Sequence, residues 1–316
     1  MIGLRTVTKA ESDVAATDLL DKPSGLWRTA WKRLLRRRGG VVGLCIIGFI
    51  FLVAILAPLI APYEPTRDFI GEGDRTRRDP PCVHLLGCDD EKPQHLMGLD
   101  GNARDQFSRI VYGARVSLWV GFTTVLVAFT IGSTLGAISG YWGGWADNVI
   151  MRVMDVVLGF PALLLAIGIV AALGPGLRNT LLAIAIVSIP AYARVMRASV
   201  LSIKELDYVA ASRALGGSRF QILRTRVVPN ALTPLVVIGT LGIATAILDA
   251  AAFGFLGLGA QPPTAEWGSM LADERNQIFS APHLVFFPGL AIVITVLGFN
   301  LLGDGLRDAL DPALNE

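Results

Sequence analysis

The sequence predicts an all-α protein that crosses the membrane six times. Hydrophobic residues make up 53% of its 316 residues and charged residues only 17%, and the mean hydropathy is +0.55. This balance leaves too little polar surface for a soluble globular chain and favours a polytopic membrane protein. A spanning helix needs about 20 mostly apolar residues. Segments of this kind lie at residues 41–61, 119–141, 147–173, 177–200, 231–258 and 284–302.

Basic clusters near the N-terminus predict the orientation. Residues 1–26 form a polar tail of mixed charge. In residues 27–38, large apolar side chains recur with helical spacing and basic side chains cover the remaining surface, which is typical of a helix in the cytoplasmic membrane interface. The apolar side chains are Trp27, Trp31, Leu34 and Leu35. A nucleic-acid-binding patch is the alternative, and the membrane span that follows at once argues against it.

Residues 41–61 are predicted to be a retained first span with its N-terminus inside. A cleavable signal peptide has a shorter apolar core that lies nearer the N-terminus. Six spans then place the C-terminus inside as well.

Residues 62–116 form a long polar segment that is predicted to be external. Cys82 and Cys88 could close a small disulfide loop in an oxidising compartment, or they could remain free thiols. A metal site with His84 and His95 is a third alternative, although the spacing matches no familiar zinc pattern.

Four charged residues near the end of the external segment predict a lattice of structural ion pairs. Asp and Arg side chains without a nucleophile or a set of metal ligands offer no obvious reaction. We therefore expect packing at the start of the second span rather than a catalytic or metal site from Asp100, Arg104, Asp105 and Arg109.

Glycines in the second span predict a close helix contact. Gly132, Gly136, Gly140 and Gly144 recur at every fourth residue, so a neighbouring helix can approach one bare face. This face could be a sliding seam or plain tight packing.

Charged and proline residues mark the third and fourth spans. Arg152 and Asp155 lie three residues apart and can pair on one helical face. Pro161 lies within the third span, and Pro190 predicts a kink in the fourth.

Asp249 is an acidic residue deep in the fifth apolar segment. At a rise of about 1.5 Å per residue it lies past the midplane, toward the outside. A carboxylate is costly in lipid, so it should face a partner or a wet cavity. Lining of the permeation path and a hydrogen bond to a neighbouring helix both stay open. Phe253 and Phe255 are candidates for the same path or its gate.

Residues 207–229 are the one long charged interruption in the apolar second half of the chain. Small residues lie close together on a predicted helix, and Gly216 and Gly217 can end it. Ser218 and Gln221 have the spacing of a capping box for the next helix. The pattern predicts a cytoplasmic docking element for another protein. An ordinary basic loop is the alternative, but it does not explain the small residues or the glycine pair.

This segment resembles the EAA loop of ABC importer permeases. The family pattern is Glu-Ala-Ala, three residues, Gly, and about ten residues later a hydrophobic residue and Pro. It falls here on Ala210, Ala211, Ser212, Gly216 and Pro229, with Ala210 and Ser212 departing from it. The resemblance implies that residues 203–229 couple the chain to an ATPase. The residues implied in coupling are Asp207, Tyr208, Ala210, Ala211, Ser212, Arg213, Leu215, Gly216, Ser218 and Pro229.

Two further blocks resemble C-type permease subunits of dipeptide and oligopeptide ABC importers, in the binding-protein-dependent transport family. Residues 95–118 match the family phrase before the second span, and residues 253–270 match the phrase after the fifth. The usual acidic residue of the family falls at Ala250 rather than at Asp249. The resemblance extends over nearly all of residues 27–312. It implies a type I, MetI-like importer permease fold with its permease core at residues 117–312.

The resemblance also implies the setting of the chain. It would be a non-catalytic subunit in the bacterial inner membrane, surrounded by lipid and with both termini cytoplasmic. Its implied partners are a homologous permease, two ABC ATPases and an external solute-binding protein, with no nucleic acid. ATP and magnesium would belong to the ATPases, because this sequence has no Gly-Lys pair for a Walker A loop and no other cofactor motif.

Two alternatives to peptide import remain. Nickel and glutathione importers have the same type of permease subunit. An ion-gradient-driven secondary transporter is an alternative from another class.

Overall fold

Helices account for nearly all regular structure in the computed structural model, which describes residues 31–72, 76–88 and 93–310. The main helices are α1 (Arg38–Ile55), α2 (Ala57–Ile60), α3 (Gln106–Trp142), α4 (Gly144–Leu158), α5 (Ala162–Leu173), α6 (Leu177–Ile203), α7 (Asp207–Ala214), α8 (Arg219–Ile222), α9 (Val228–Phe255), α10 (Trp267–Glu274) and α11 (Pro282–Leu310). The described residues contain isolated β-bridges but no strand. The predicted all-α class is confirmed.

Five helical runs are long and apolar enough to cross a membrane, by length and composition. They are α1, α3, α6, α11 and the run Arg219–Phe255, in which a π-helical turn at Leu223–Val227 joins α8 to α9. Helices α4 and α5 pass the same test only as a pair and would make a sixth span.

The third predicted span is not one straight helix. The axes of α4 and α5 differ by 91°. Gly159 ends α4, and Pro161 is the extended N-cap residue of α5. Proline has no amide hydrogen to donate and disfavours helical backbone in the residue before it, so the helix breaks here. Hydropathy alone does not detect such a bend.

The glycines of α3 pack against α6. A Cβ atom at Gly132 would lie 2.7 Å from the backbone oxygen of Ile189, and one at Gly136 would lie 2.3 Å from that of Ala193. At Gly140 the corresponding contact is Arg197 O at 2.9 Å. Gly144 lies outside this seam, because α3 has already ended and nothing lies within 4 Å of a Cβ there. The repeat therefore makes a tight helix contact over three of its four glycines.

A second close contact joins the first and last spans. A Cβ at Gly43 of α1 would lie 2.5 Å from the amide nitrogen of Leu302 in α11, and one at Gly305 would lie 2.6 Å from Gly40 Cα. Leu34 is also buried here, at 1% exposure. Residues 31–34 are helical, whereas residues 1–30, including Trp27, lie outside the described part. Trp31 and Leu35 are half exposed. One part of the predicted apolar face therefore packs against the protein, and the other part is exposed.

The polar segment between α2 and α3, predicted to be external, folds against one end of the spanning helices. Phe69, Leu99 and Ala103 form a small core with Tyr63, and bridges pair Cys82 with His95 and Leu99 with Asp105. Helix α3 begins at Gln106, well before the apolar stretch, because Asp105 caps it by accepting from Ser108 N at 2.8 Å. The external loop predicted for residues 62–116 thus ends earlier, and α3 extends beyond the apolar segment.

Candidate functional site

Helix α7 lies on the membrane helices through one buried side chain. Val209 is fully buried in a cluster that includes Met196 of α6, Ile222 of α8 and Ala231 of α9. It is the one buried residue of α7. Helix α7 therefore contacts α6 and α9 through a small apolar contact.

A tight turn sets the direction of the chain after α7. Gly216 has φ +83°, a left-handed conformation that glycine adopts at little cost. Gly216 N donates to Arg213 O at 3.0 Å and Gly217 N donates to Ser212 O at 3.1 Å, which closes the end of the helix. Ser218 then caps α8 by accepting from Gln221 N at 3.3 Å.

Polar contacts tie α7 to the start of α9. Asn230 Nδ2 donates to Arg226 O at 2.7 Å and to Tyr208 Oη at 3.3 Å. Ser212 Oγ donates to Tyr208 O at 2.7 Å. Pro229 lies in the first turn of α9, where its missing amide hydrogen costs little. The turn and α7 thus form one unit with the fifth span.

The outer face of α7 is exposed and combines small, apolar and basic residues. Leu215 is 89% exposed and Phe220 65% exposed. Within the described residues, no carboxylate pairs with Arg213, Arg219 or Arg224. We call this face the docking surface. Its exposed members are Asp207, Tyr208, Ala210, Ala211, Arg213, Ala214, Leu215, Gly216, Ser218, Arg219 and Phe220. Two large exposed apolar side chains beside small residues are suited to contact with a protein.

A cavity of about 270 Å³ lies between α3, α6 and α9. Asp249 of α9 lines it, and the structure gives its carboxylate no hydrogen bond or ion pair among the described residues. Polar neighbours from all three helices share the lining: Thr124, Ser188, Tyr192 and Thr245. Asp249 is 21 residues beyond Val228, or about 31 Å along the helix. The alternative of a hydrogen bond from Asp249 to a neighbouring helix is not present in this structure.

Phe253 and Phe255 lie elsewhere. Phe253 is buried at 1% exposure and packs against α5 and α6. Phe255 is 44% exposed, with the guanidinium of Arg275 5.8 Å from its ring centre. Neither residue lines the cavity at Asp249.

The predicted charge lattice is present only in part. Asp100 pairs with Arg104 at 2.8 Å and with Arg109 at 3.2 Å. Asp105 pairs with neither arginine. It accepts from Ser108 and lies 2.8 Å from His95 Nδ1. Its position as the N-cap of α3 directs its carboxylate to the helix amides, so the prediction that Asp105 joins the lattice is wrong.

Asp155 also has a different partner from the predicted one. Its carboxylate bonds Arg194 of α6 at 2.7 Å rather than Arg152 of its own helix. Asp147 likewise makes two 2.6 Å bonds to Arg197 of α6. These pairs hold α4 to α6, and their sequence separations of 39 and 50 residues put them out of reach of helical spacing.

Two glutamates that the sequence reasoning missed stabilise the side of the molecule that is predicted to be external. Glu266 is 3% exposed and caps α10 through Gly268 N and Ser269 N, both at 2.8 Å. Burial raises the pKa of its carboxyl, against the effect of these amides. Glu274 bonds Arg78 and accepts from Gly101 N at 2.6 Å. The position of Glu266, just before a short polar helix, is the signal that could have identified it as a cap.

The cysteines of the external segment are bonded to each other, Cys82 to Cys88. Cys45 is a free, exposed thiol on α1. Among the described residues, no group of three or more His, Cys, Asp or Glu side chains could hold a metal ion.

Two family models match the chain. Residues 132–316 match the binding-protein-dependent transport system inner membrane component, which is more than half of the chain. Residues 25–81 match the N-terminal TM domain of oligopeptide transport permease C.

Curated relatives are similar over almost their whole length. The chain is 48% identical over 290 residues to the dipeptide transport system permease protein of Alkalihalophilus pseudofirmus, covering 91% of this chain and 90% of that protein. It is 45% identical over 284 residues to the di/tripeptide transport system permease protein of Pseudomonas aeruginosa, covering 90% and 91%. It is 44% identical over 288 residues to the glutathione transport system permease protein of Pectobacterium atrosepticum, covering 91% of each.

A solved structure shares the fold. The methionine ABC transporter in an inward-facing conformation superposes with a TM-score of 0.53 at 21% identity, covering 64% of this chain and 96% of that one. This likeness concerns the fold alone. It confirms the predicted MetI-like architecture.

Proposed function

Because this chain belongs to the family of binding-protein-dependent transport system inner membrane components, we propose that it is the permease subunit of an ATP-driven importer of peptides. Its relatives named for dipeptides and for di- and tripeptides support the peptide substrate. The observation that carries the coupling role is the docking surface. It exposes Leu215 at the end of α7 and Phe220 in α8, between the fourth and fifth spans.

The proposed complex contains further subunits. A homologous permease completes the translocation path, and an external solute-binding protein delivers the substrate. Two cytoplasmic ABC ATPases complete the complex, and one of them binds the docking surface of this chain. ATP and magnesium bind the ATPases, and this chain itself performs no catalysis. The chain lies in the bacterial inner membrane with both termini in the cytoplasm.

The proposed mechanism follows from how α7 is attached. Closure of the ATPases on ATP moves α7. Val209 and the Tyr208–Asn230 contact transmit this movement to α6 and α9. The spans then tilt and switch the path between inward and outward access. Asp249 lines this path, and Phe255 lies near its outer gate.

The division of the chain follows the same scheme. The first span lies within residues 41–61, and the segment proposed as external ends at Asp105, the N-cap of α3. The permease core then runs from α3 to α11, with the coupling loop at residues 203–229. The predicted tail at residues 1–26 lies outside the described residues.

The first experiment is purification of the tagged chain from its native membrane in mild detergent, followed by mass spectrometry. The expected result is co-elution with a second permease and with ATPases that carry Walker motifs. Reconstitution of that complex with its binding protein should give peptide uptake that requires ATP. A chain that elutes alone and moves solute on an ion gradient would reject the proposal in favour of a secondary transporter.

Glutathione is a second candidate substrate. The relative from Pectobacterium atrosepticum is named for glutathione and is almost as similar as the peptide permeases. Competition between alanyl-alanine and glutathione for uptake by the reconstituted complex separates the two substrates.

A further inference from the structure

The cavity between α3, α6 and α9 combines a charged end with an apolar wall. Asp249 and the polar side chains named above occupy part of the lining, and Val125, Ile238, Leu241 and Ala246 supply apolar surface. Its volume of about 270 Å³ is near the lower limit of small-molecule pockets, about 300 Å³. A cavity of this size suits the terminal part of a small amphipathic molecule.

The carboxylate of Asp249 has no countercharge among the described residues. The acidic residues of α4 do have partners, since Asp147 bonds Arg197 and Asp155 bonds Arg194. Asp304 and Asp308 near the end of α11 are exposed. A carboxylate among membrane helices is costly, so its retention beside a cavity indicates a cationic or hydrogen-bonding ligand.

Thr124 supplies an independent observation. Its side chain is 1% exposed, it lines the same cavity, and its hydroxyl has no hydrogen-bond partner. Ser188 and Thr245, in contrast, bond the backbone of their own helices. A buried hydroxyl left without a partner costs free energy, and a ligand in the cavity could supply the missing bond.

We propose that this cavity binds the ammonium group of a peptide during transport, with the Asp249 carboxylate as the countercharge and the Thr124 hydroxyl as an additional acceptor. This inference rests on the proposed function. A peptide carries an ammonium group at its N-terminus, and the apolar wall accommodates the adjoining side chain. Binding at this site must be weak, because a transport path has to release the substrate that it binds.

The first test measures charge preference inside the cavity. In the complex with its partners, Thr245→Cys places a thiol on the cavity wall, and Cys45→Ser removes the free thiol of α1. The probes are 2-aminoethyl and 2-sulfonatoethyl methanethiosulfonate, with each rate normalised to the rate of a small free thiol. The cationic probe should react about tenfold faster than the anionic probe, because a carboxylate concentrates cations.

Two comparisons decide the result. Asp249→Asn should reduce the preference to near unity, and alanyl-alanine delivered by the binding protein with ATP should slow modification of Thr245→Cys. Asp308→Asn, which removes an exposed carboxylate near the end of α11, should leave the preference unchanged. No preference for the cationic probe, or an equal preference in Asp249→Asn, overturns the inference.

The second test measures function. Asp249→Asn should lower ATP-driven uptake of alanyl-alanine about tenfold, Asp249→Glu should restore part of it, and Thr124→Val should raise the KM for uptake. ATP hydrolysis stimulated by the loaded binding protein should persist. Full uptake by Asp249→Asn, or loss of complex assembly in that variant, contradicts a ligand site. Absence of ATP-driven uptake by the unmodified complex rejects the proposed function instead.

Discussion

Gly216 is a residue whose backbone conformation sets the position of a whole helix. Its φ of +83° lets the chain reverse at the end of α7, and nothing lies within 4 Å of a Cβ placed there. The requirement at this position is therefore conformational rather than steric. A residue that cannot adopt the left-handed region must change the turn and with it the direction of α7.

Gly216→Pro is expected to uncouple ATP hydrolysis from uptake. Proline fixes φ near −65° and cannot make this turn, so α7 meets the ATPase at another angle. We expect the peptide transported per ATP to fall about tenfold, within the usual range of coupling energies. Gly216→Asn is the matched control, because asparagine tolerates left-handed backbone, and it should retain most coupling. Normal uptake by Gly216→Pro in reconstituted vesicles would reject this role.

Asp273 gives a prediction about pH. Burial raises the pKa of its carboxyl above the ordinary 3.8, against the opposing effect of Arg109 and Arg104. The folded state then holds the proton more tightly than the unfolded state, so the stability due to this group is lost as pH rises above that value. The free energy of unfolding of Asp273→Asn should therefore exceed that of the unmodified chain, by a margin that grows from about pH 4 to about pH 7. This margin should stay below about 1 kcal/mol, because the group is partly exposed. Thermal unfolding at each pH measures it. A margin that shrinks over this range contradicts the prediction.

The ion pairs show which contacts can be predicted from the sequence and which cannot. The Asp100–Arg104 pair spans four residues and was predicted, whereas the partner of Asp155 lies 39 residues away. Residue spacing predicts which side chains are neighbours on one helix. It does not predict which residues of another helix pack against them. The role of Asp105 as a helix cap instead of an ion-pair member depends on the start of α3, which the apolar pattern places too late.

At the scale of the element, α3 and α6 approach each other closely along a row of glycines. Backbone of α6 approaches the glycine face of α3 so closely that a single added carbon atom collides at Gly132 and Gly136. In membranes such close approach is favoured by dispersion between backbones rather than by a hydrophobic effect. The sequence predicted this face, but the partner helix and the exclusion of Gly144 required the structure.

Gly136→Val should destabilise the chain through this contact. Its Cβ alone would lie 2.3 Å from Ala193 O, so α3 and α6 must separate, at a cost of about 1–3 kcal/mol. Gly168→Val on α5 is the matched control, because nothing lies within 4 Å of its Cβ, and it should change stability by less than about 0.5 kcal/mol. Thermal unfolding in detergent measures both variants. Equal stability of the two contradicts a packed seam.

At the scale of the whole molecule, the disulfide predicts which side of the membrane its loop occupies. Cys82 and Cys88 are bonded, and such bonds persist in oxidising compartments. Their loop lies between α1 and α3 in the chain. The side of the membrane on which it lies therefore fixes the direction in which each later span crosses. Composition and hydropathy were sufficient for the all-α class and for five of the spans. The bent α4–α5 pair was not predictable from them, because a proline in an apolar run leaves the mean hydropathy unchanged.

Thiol labelling tests this orientation. In a Cys45→Ser chain from intact cells, an alkylating reagent should modify no cysteine until a reductant is added, and should then modify Cys82 and Cys88. The same chain made without membranes in a reducing mixture is the control and should label at once. Labelling in cells without a reductant contradicts an external location of this loop.

The contacts of Glu274 have a consequence for biosynthesis. Arg78 in the first external segment bonds a glutamate that is made 196 residues later. At about 5–20 residues per second, the ribosome takes roughly 10–40 s to deliver that partner. During this interval the segment lacks its anchor on α10, and only contacts within it, the Phe69–Leu99 core and the disulfide, can hold its structure. The Cys82–Cys88 bond joins residues only six positions apart, so it can form before that partner is made.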